Sequence, residues 1–388
     1  PGNAKKQHVV VEERLRRLAE YANNCPFNRV EDREGAKLGI ITSGPSYQYA
    51  KEVFGDTAAF LKIGMPNPLP DRLILDFASR YERIIVIEEL DDILETHCRK
   101  LGLQVDGKNL LPNIDEFSQE LLADRLLGKK ADCYHIEADI PARPPVLCPG
   151  CPHRGVFYLL KKLGLYVSGD IGCYTLGAVP PLGAMDTTLC MGASISALHG
   201  YNKVLGADSA RRSIAVIGDS TFMHSGMTGL VNITYNQGIS TVMILDNSIT
   251  GMTGHQDNPC TGKTLKGEKV YGILPENICR AAGIAPEHIR ILDPFNLEET
   301  ERVIREAMEA PVPSVIIARR PCALLKYVKR GEPLVVNTAK CVGCKACMKI
   351  GCPAISVVDK KARIDATLCT GCNLCRQLCR PGAIGAAQ

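Results

Sequence analysis

The sequence predicts an α/β protein built on parallel sheets and closed by a short cysteine-rich module. Three observations carry this. Short continuous apolar runs at 83–87, 213–217, 241–245 and 314–318 alternate with helical patterns, as expected for parallel strands buried on both faces. Seven glycines crowd the stretch 164–200. Of 18 cysteines, eight fall between Cys341 and Cys379.

Composition narrows the class further. Across 388 residues, 45% are apolar and 23% charged, which suits globular domains and excludes general disorder. A net charge of +4 with no basic run gives no nucleic-acid footprint, and 5% aromatics with no tryptophan gives no stacking platform. No apolar run approaches the roughly 20 residues of a membrane span, and no signal peptide opens the chain. Cysteines packed into one short segment of a long chain point to metal ligation in a reducing, cytoplasmic compartment.

Four stretches follow. Residues 1–35 form an arm, with an amphipathic helix over 9–21 that would cover an apolar neighbour. Residues 36–135 are α/β. A strand at 38–42 turns through Ser43-Gly44-Pro45 into a helix reaching Phe54, with Ser46 as its cap, and the strand at 83–87 leads through Glu88 and Glu89 into another helix. Residues 136–330 are the largest unit, with three clear strands and a helix over 297–310. Its glycines suit loops that approach a ligand closely. Residues 331–388 are the cysteine module, set off by Gly331-Glu332-Pro333.

That module is an internal duplication. Cys341, Cys344 and Cys347 recur 28 residues later as Cys369, Cys372 and Cys375, and each run has a later fourth cysteine, Cys352 or Cys379. The spacing is that of two-cluster bacterial ferredoxins, in which the fourth cysteine of each run serves the other cluster. One [4Fe-4S] cluster is then held by Cys341, Cys344, Cys347 and Cys379, and a second by Cys369, Cys372, Cys375 and Cys352. Two zinc sites are the alternative, but zinc usually takes paired C-x-x-C knuckles rather than two runs of three. Four residues separate Cys347 from Cys352, and Pro381 stands one place late after Cys379. Neither change removes a ligand.

The 213–217 strand runs into Gly218-Asp219-Ser220, and Asn247 ends the next strand 28 residues after Asp219. This resembles the thiamine diphosphate signature, with Ser220 where a second glycine is usual. Mg²⁺ seeks six hard oxygens. Asp219, Asn247 and the Ile249 carbonyl would supply three, and the diphosphate and water the rest, while Gly218 admits the backbone and a helix near Thr221 offers N–H groups. The bland alternative is a capped strand–helix turn; the run Thr250-Gly251-Met252-Thr253-Gly254 weighs against it. Cys148-Pro149-Gly150-Cys151-Pro152-His153 reads as half a zinc site, a redox pair, or a turn lining the cofactor pocket. His224 and His255 are candidates for phosphate or substrate contact, or for structural roles. Cys25, Cys98, Cys133, Cys260, Cys279 and Cys322 read as small core residues or inert thiols.

Taken in order, LGIITSGPSYQYAKE (38–52), CPGCPHRG (148–155), GDIGCYTLG (169–177), MGASISA (191–197), GDSTFMHSG (218–226), LDNSITGMTGHQ (245–256) and the cysteine module resemble the α subunits of indolepyruvate:ferredoxin oxidoreductases, a 2-oxoacid oxidoreductase family. The resemblance implies a transketolase-C-like domain, a domain for the diphosphate end of thiamine diphosphate, and a two-cluster ferredoxin-like domain. It implies that Cys151, His153, Gly172, Cys173, Gly218, Asp219, Ser220, Asn247, Ile249, Thr250 and Gly251 face the cofactor. The activity it implies is oxidative decarboxylation of aryl-2-oxoacids to aryl-acyl-CoA, with coenzyme A as co-substrate and electrons passing through both clusters to external ferredoxin. A β subunit is the expected partner. These family members begin with a further domain, which carries the glutamate that activates thiamine. It is not recognisable in these 388 residues. The catalytic acid is therefore expected outside this sequence, on a missing domain or a separate chain. Two alternatives stand: a subunit acting on pyruvate or branched-chain oxoacids, and an electron-transfer subunit with no active site.

Overall fold

The computed structural model describes residues 2–130, 136–141 and 143–386. Cys133 lies outside the described residues, as does the boundary expected at 135. The chain divides into two compact units, Pro1–Ile140 and Pro141–Gln388.

The first unit carries a four-stranded sheet in the order β1-β3-β2-β4. Its strands are β1 (Arg29–Glu31), β2 (Leu38–Ser43), β3 (Ala59–Ile63) and β4 (Arg83–Ile87). β2 pairs in parallel with both β3 and β4, and β1 runs antiparallel along β3. Ile41, Leu61 and Val86 bury one face against Ile74 and Phe77, while Ile40, Phe60 and Ile85 bury the other against Phe54 and Leu122. The first helix, Gly2–Ala22, is longer than 9–21, and only Ala22 is buried. Part of the expected arm, β1, belongs to the sheet. Ser46 does not cap its helix: Pro45 stands at that position and the Ser46 side chain makes no cap bond. A proline fixes the φ a first turn needs, so no serine cap is required. Glu88 is committed to structure, since its carboxylate accepts the N–H groups of Leu94 and Glu95, both at 2.8 Å, at the start of helix Ile93–Lys100.

The second unit is built on a six-stranded, all-parallel sheet in the order β6-β5-β7-β8-β10-β9. The strands are β5 (Tyr166–Gly169), β6 (Thr187–Thr188), β7 (Ser213–Gly218), β8 (Thr241–Asp246), β9 (Ile289–Leu292) and β10 (Ser314–Arg319). Every residue of β7 and β8 is buried, which is why those runs lack the alternation of a half-exposed strand. Helices cover both faces. His153–Leu163 and Leu297–Glu309 pack with Val216, Leu245 and Ile316. Ala193–Leu205 and Met227–Tyr235 pack with Ile217, Ile244 and Ile317.

The cysteine module shares a core with this sheet domain, since Ile350, Ile355, Leu374 and Ile384 join the cluster holding Phe157 and Leu297. It contains two small antiparallel pairs, β11 (Leu334–Val336) with β14 (Ile384–Ala386), and β12 (Ile355–Val358) with β13 (Lys361–Ile364).

Candidate functional site

The carboxyl ends of β5, β7 and β8 converge where the strand order reverses, the usual place for a ligand in an open parallel sheet. A pocket opens there. Its walls include Gly172 and Cys173 after β5, Gly218, Asp219 and Ser220 after β7, and Asn247, Ile249, Thr250 and Gly251 after β8. Nine of the eleven residues expected to face the cofactor thus line one cavity. Cys151 and His153 are not among its lining residues, but both are buried in the same unit. His153 Nε2 lies 3.4 Å from Asn247 Nδ2, directly behind the pocket wall.

The glycines have a specific cause. A Cβ at Gly172 or Gly218 would stand 2.4 or 2.7 Å from the Tyr174 ring. Neither needs a positive φ. They admit Tyr174, whose hydroxyl donates to the Ile171 carbonyl at 2.9 Å and whose ring meets His153 edge-on.

Helical structure begins at Asp219, earlier than Thr221, passes through a π-helical turn at Phe222–Gly226 and continues as Met227–Tyr235. Asp219 is 2% exposed. Its carboxylate accepts the Ser220 N–H at 2.8 Å, and Asn258 Nδ2 stands 3.5 Å away. Burial, aided by the charge of Asp246, pushes Asp219 up to about 7. A buried carboxylate without a cation against it is costly, and Asp246 is already committed to Arg319 at 2.6 Å. The donor set of Asp219 carboxylate, Asn247 carboxamide and Ile249 carbonyl is therefore a hard-oxygen set suited to Mg²⁺. Burial drives His153 down to about 4, so its ring is neutral and its Nε2 can accept from Asn247.

Of the two other histidines, His224 is exposed on the π-helical turn. His255 lines a neighbouring groove with Lys263, Lys326 and Tyr327, which shares Ile249 with the pocket. The sequence reading missed Asn258 and Tyr174. Asn258 returns to Asp219 only because the loop folds back through the Thr250–Gln256 bridge, a contact no local spacing encodes.

In the cysteine module, one cavity is lined by Cys341, Cys344, Cys347 and Cys379. A second is lined by Cys352, Cys369, Cys372 and Cys375. The structure thus groups the thiols in the crossed sets. Backbone N–H groups approach the sulfurs in each, Ala383 at 3.2 Å from Cys379 Sγ and Leu334 at 3.4 Å from Cys369 Sγ. Among the described residues no three His, Cys, Asp or Glu side chains converge as ligands of a single ion. Four thiols spread around a cavity suit a multi-atom iron–sulfur core better than a lone zinc.

Cys148 and Cys151 are both free thiols. Burial, and after it the neighbouring Cys148 and Cys322 thiols, push the Cys151 and Cys173 thiols up, and burial with Cys148 does the same to Cys322. Cys260 and Cys322 are half-buried rather than fully within a core, and Cys322 lies beside Cys148, Cys151 and Cys173. Cys25, Cys98 and Cys279 are buried as expected.

Residues 170–318, the segment that carries this pocket, match the family described as thiamine pyrophosphate enzyme, C-terminal TPP binding domain. Over nearly its whole length the chain is similar to curated proteins called indolepyruvate oxidoreductase subunit IorA. It is 36% identical to that of Pyrococcus horikoshii and 37% to that of Thermococcus kodakarensis, over 99% and 98% of this chain. With that of Archaeoglobus fulgidus it shares 37% over the full chain. The chain is thus a relative of the IorA subunits, as its motifs imply. It spans about 65% of the length of the first two relatives. Among solved structures, a 2-oxoglutarate:ferredoxin oxidoreductase from Magnetococcus marinus aligns with 48% of this chain and 68% of its own, at TM-score 0.41 and 16% identity. None of the described helices is long and apolar enough to cross a membrane.

Proposed function

We propose that this chain provides the diphosphate-binding and electron-transfer parts of a thiamine diphosphate-dependent 2-oxoacid:ferredoxin oxidoreductase acting on aryl-2-oxoacids such as indolepyruvate. The observation that carries this is the presence, in one compact unit, of the Asp219–Asn247 pocket and two four-cysteine cavities. The names of the relatives supply the substrate class.

Asp219, Asn247 and the Ile249 carbonyl would hold Mg²⁺, and N–H groups at the start of the 219–235 helical run would face the diphosphate. When bound, thiamine diphosphate supplies the carbon nucleophile and the electron sink for decarboxylation. The chain's own part is to fix that cofactor and exclude water. Tyr174, Leu245, Met191 and Met252 line the pocket beside its polar groups. His153, neutral and buried, orients the Asn247 carboxamide. Substrate and coenzyme A would approach through the groove of His255, Lys263, Lys326 and Tyr327, whose two lysines suit anionic groups.

The thiols of the module would hold the two clusters as one-electron stations, so that a two-electron oxidation is passed on singly. A β subunit, a chain or domain bearing the activating acid, and external ferredoxin complete this reading. The test is anaerobic purification with the partner subunit, followed by cofactor analysis and turnover with indolepyruvate, coenzyme A and ferredoxin. Thiamine diphosphate, about eight irons at four per cubane, and indolepyruvate- and coenzyme-A-dependent ferredoxin reduction support it. Irons without thiamine diphosphate would make the chain an electron carrier, and turnover with pyruvate or branched-chain oxoacids alone would reassign its substrate. About twelve irons would add a third cluster on Cys148, Cys151, Cys173 and Cys322.

A further inference from the structure

Arg154 is one of the largest fully buried side chains in the molecule, 2% exposed, on the first turn of helix His153–Leu163. Buried arginines are normally paired with carboxylates. This one makes no ion pair among the described residues. Its Nε donates to the Cys148 carbonyl at 2.9 Å, and Nη1 donates to the Ile350 carbonyl at 3.3 Å and to the Gly351 carbonyl. Its Nη2 has no hydrogen-bond partner among the described residues. The ionisable groups acting on it most strongly are all thiols, led by Cys352 and Cys151.

Arg154 also lines the cavity of Cys352, Cys369, Cys372 and Cys375. A second buried polar atom without a partner, Thr370 Oγ1, belongs to a residue lining the same cavity. Gly150, at φ +69°, leaves room for it, since a Cβ there would stand 2.3 Å from Thr370 Oγ1. Two orphan donors at one enclosed site require an acceptor, and a buried guanidinium requires an anion. Among the described residues the other cavity has no buried donor without a partner: Lys345 and Lys360 are exposed, and the half-buried Lys361 beside Cys341 is bonded to the Cys341 carbonyl.

We propose that Arg154, assisted by Thr370, is a positioning residue that raises the reduction potential of the Cys352–Cys369–Cys372–Cys375 cluster above that of its neighbour. This rests on the reading that the cavity holds an iron–sulfur cluster. Such a cluster with four thiolates is anionic, and reduction adds one electron and one unit of negative charge. A fixed, buried positive charge stabilises the reduced form more than the oxidised form, and hydrogen bonds to sulfur act in the same direction. The low dielectric around Arg154 strengthens both effects.

The experiment is an anaerobic redox titration of each cluster by EPR, in the chain with its partner subunit, together with iron and sulfide analysis. In Arg154→Met, the reduced-to-oxidised ratio of this cluster at fixed ambient potential should fall at least tenfold, a shift of about 59 mV to more negative potential for one electron. The cluster of Cys341, Cys344, Cys347 and Cys379 should not move, and Arg154→Lys should restore most of the shift. Thr370→Val should shift the same cluster in the same direction by less, and it serves if Arg154→Met fails to fold or loses iron. Unchanged potentials at full iron content, or equal shifts in both clusters, would overturn the role of Arg154. Absence of any iron–sulfur signal in the unaltered protein would instead overturn the reading of the cavity itself, and the proposal with it.

Discussion

His153 and Asn247, 94 positions apart in the chain, meet at 3.4 Å between ring Nε2 and carboxamide Nδ2. Because burial keeps the ring neutral, Nε2 accepts and the carboxamide cannot flip without placing two acceptors together. Asn247 Oδ1 is thereby turned toward the Ile249 N–H, at 3.2 Å, on the pocket side. Replacing His153 with alanine frees that rotation. Magnesium-dependent thiamine diphosphate binding should weaken about tenfold, roughly 1.4 kcal/mol, by calorimetry. Equal affinity in both proteins would reduce His153 to a packing residue.

Asp219 should matter more. Asp219→Asn keeps the shape but removes the anionic ligand. The expected loss of cofactor affinity is on the order of a hundredfold, about 2.7 kcal/mol, and excess EDTA should bring the unaltered protein to a similar affinity. Iron content should not change, because none of the eight thiols assigned to the two clusters lines that pocket. Loss of iron alongside the cofactor would show that the Gly-Asp turn supports the whole unit.

Much of this arrangement is legible in sequence, for a physical reason. The runs at β4, β7, β8 and β10 are continuous because both sheet faces are covered, and Asp219 and Asn247 directly follow adjacent parallel strands. The rest fails for equally local reasons. β3 (AFLKI) contains Lys62, β9 (IRIL) contains Arg290, and β6 is only two residues long, so none reads as a buried strand. Arg154 and Thr370 are 216 positions apart in the chain and acquire meaning only from a shared cavity. A buried arginine carries no signal in sequence, since arginine is ordinarily a surface residue.

The crossed grouping of thiols can be tested directly. Cys379 lines the cavity of Cys341, Cys344 and Cys347 although it follows Cys375 by four residues. Cys379→Ser should therefore diminish or convert the cluster on the first run, while the EPR signal of the Cys369 cluster persists. Selective loss of the Cys369 signal would reverse the assignment.

Arg319 joins two carboxylates at the end of β10, bonding Asp246 at 2.6 Å and Glu276 at 3.2 and 2.6 Å. Both acids are almost fully buried. Arg319→Met leaves two buried charges unpaired and should cost about 3 kcal/mol, a fall in Tm of roughly 6 to 12 °C for a unit of this size. Burial works to raise the Glu276 pKa, but the Arg319 hydrogen bonds outweigh it and hold the carboxyl below its usual value. That contribution is present at neutral pH and is lost as pH falls through the lowered value, below about 4.3. The deficit of Arg319→Met should thus be largest near pH 7 and shrink below pH 4 by calorimetry. A deficit that grew with acidity would contradict the pairing.

The outlet for electrons should lie at the cavity of Cys341, Cys344, Cys347 and Cys379. Cys344 is the one exposed thiol of the eight, and Val342 beside it is 69% exposed. Lys345 and Lys360 line this cavity, and Lys349 and Arg380 flank Cys344 in an adjoining groove. All four basic residues are exposed, and none makes an ion pair among the described residues. The segment 331–388 holds eight basic and three acidic residues, so the chain's positive surplus is concentrated here. Such a patch speeds encounter with an acidic electron carrier, in a manner that salt screens. The triple change Lys345→Glu, Lys349→Glu and Lys360→Glu should lower the rate of reduction of an acidic ferredoxin at low ionic strength by about tenfold or more. It should also remove most of the salt dependence seen with the unaltered protein. Reduction of a small viologen dye, which needs no docking surface, should be unchanged. An equal loss with ferredoxin and dye would point to damage at the cluster. An unaltered ferredoxin rate would place the outlet elsewhere, at the second cavity or on a partner chain.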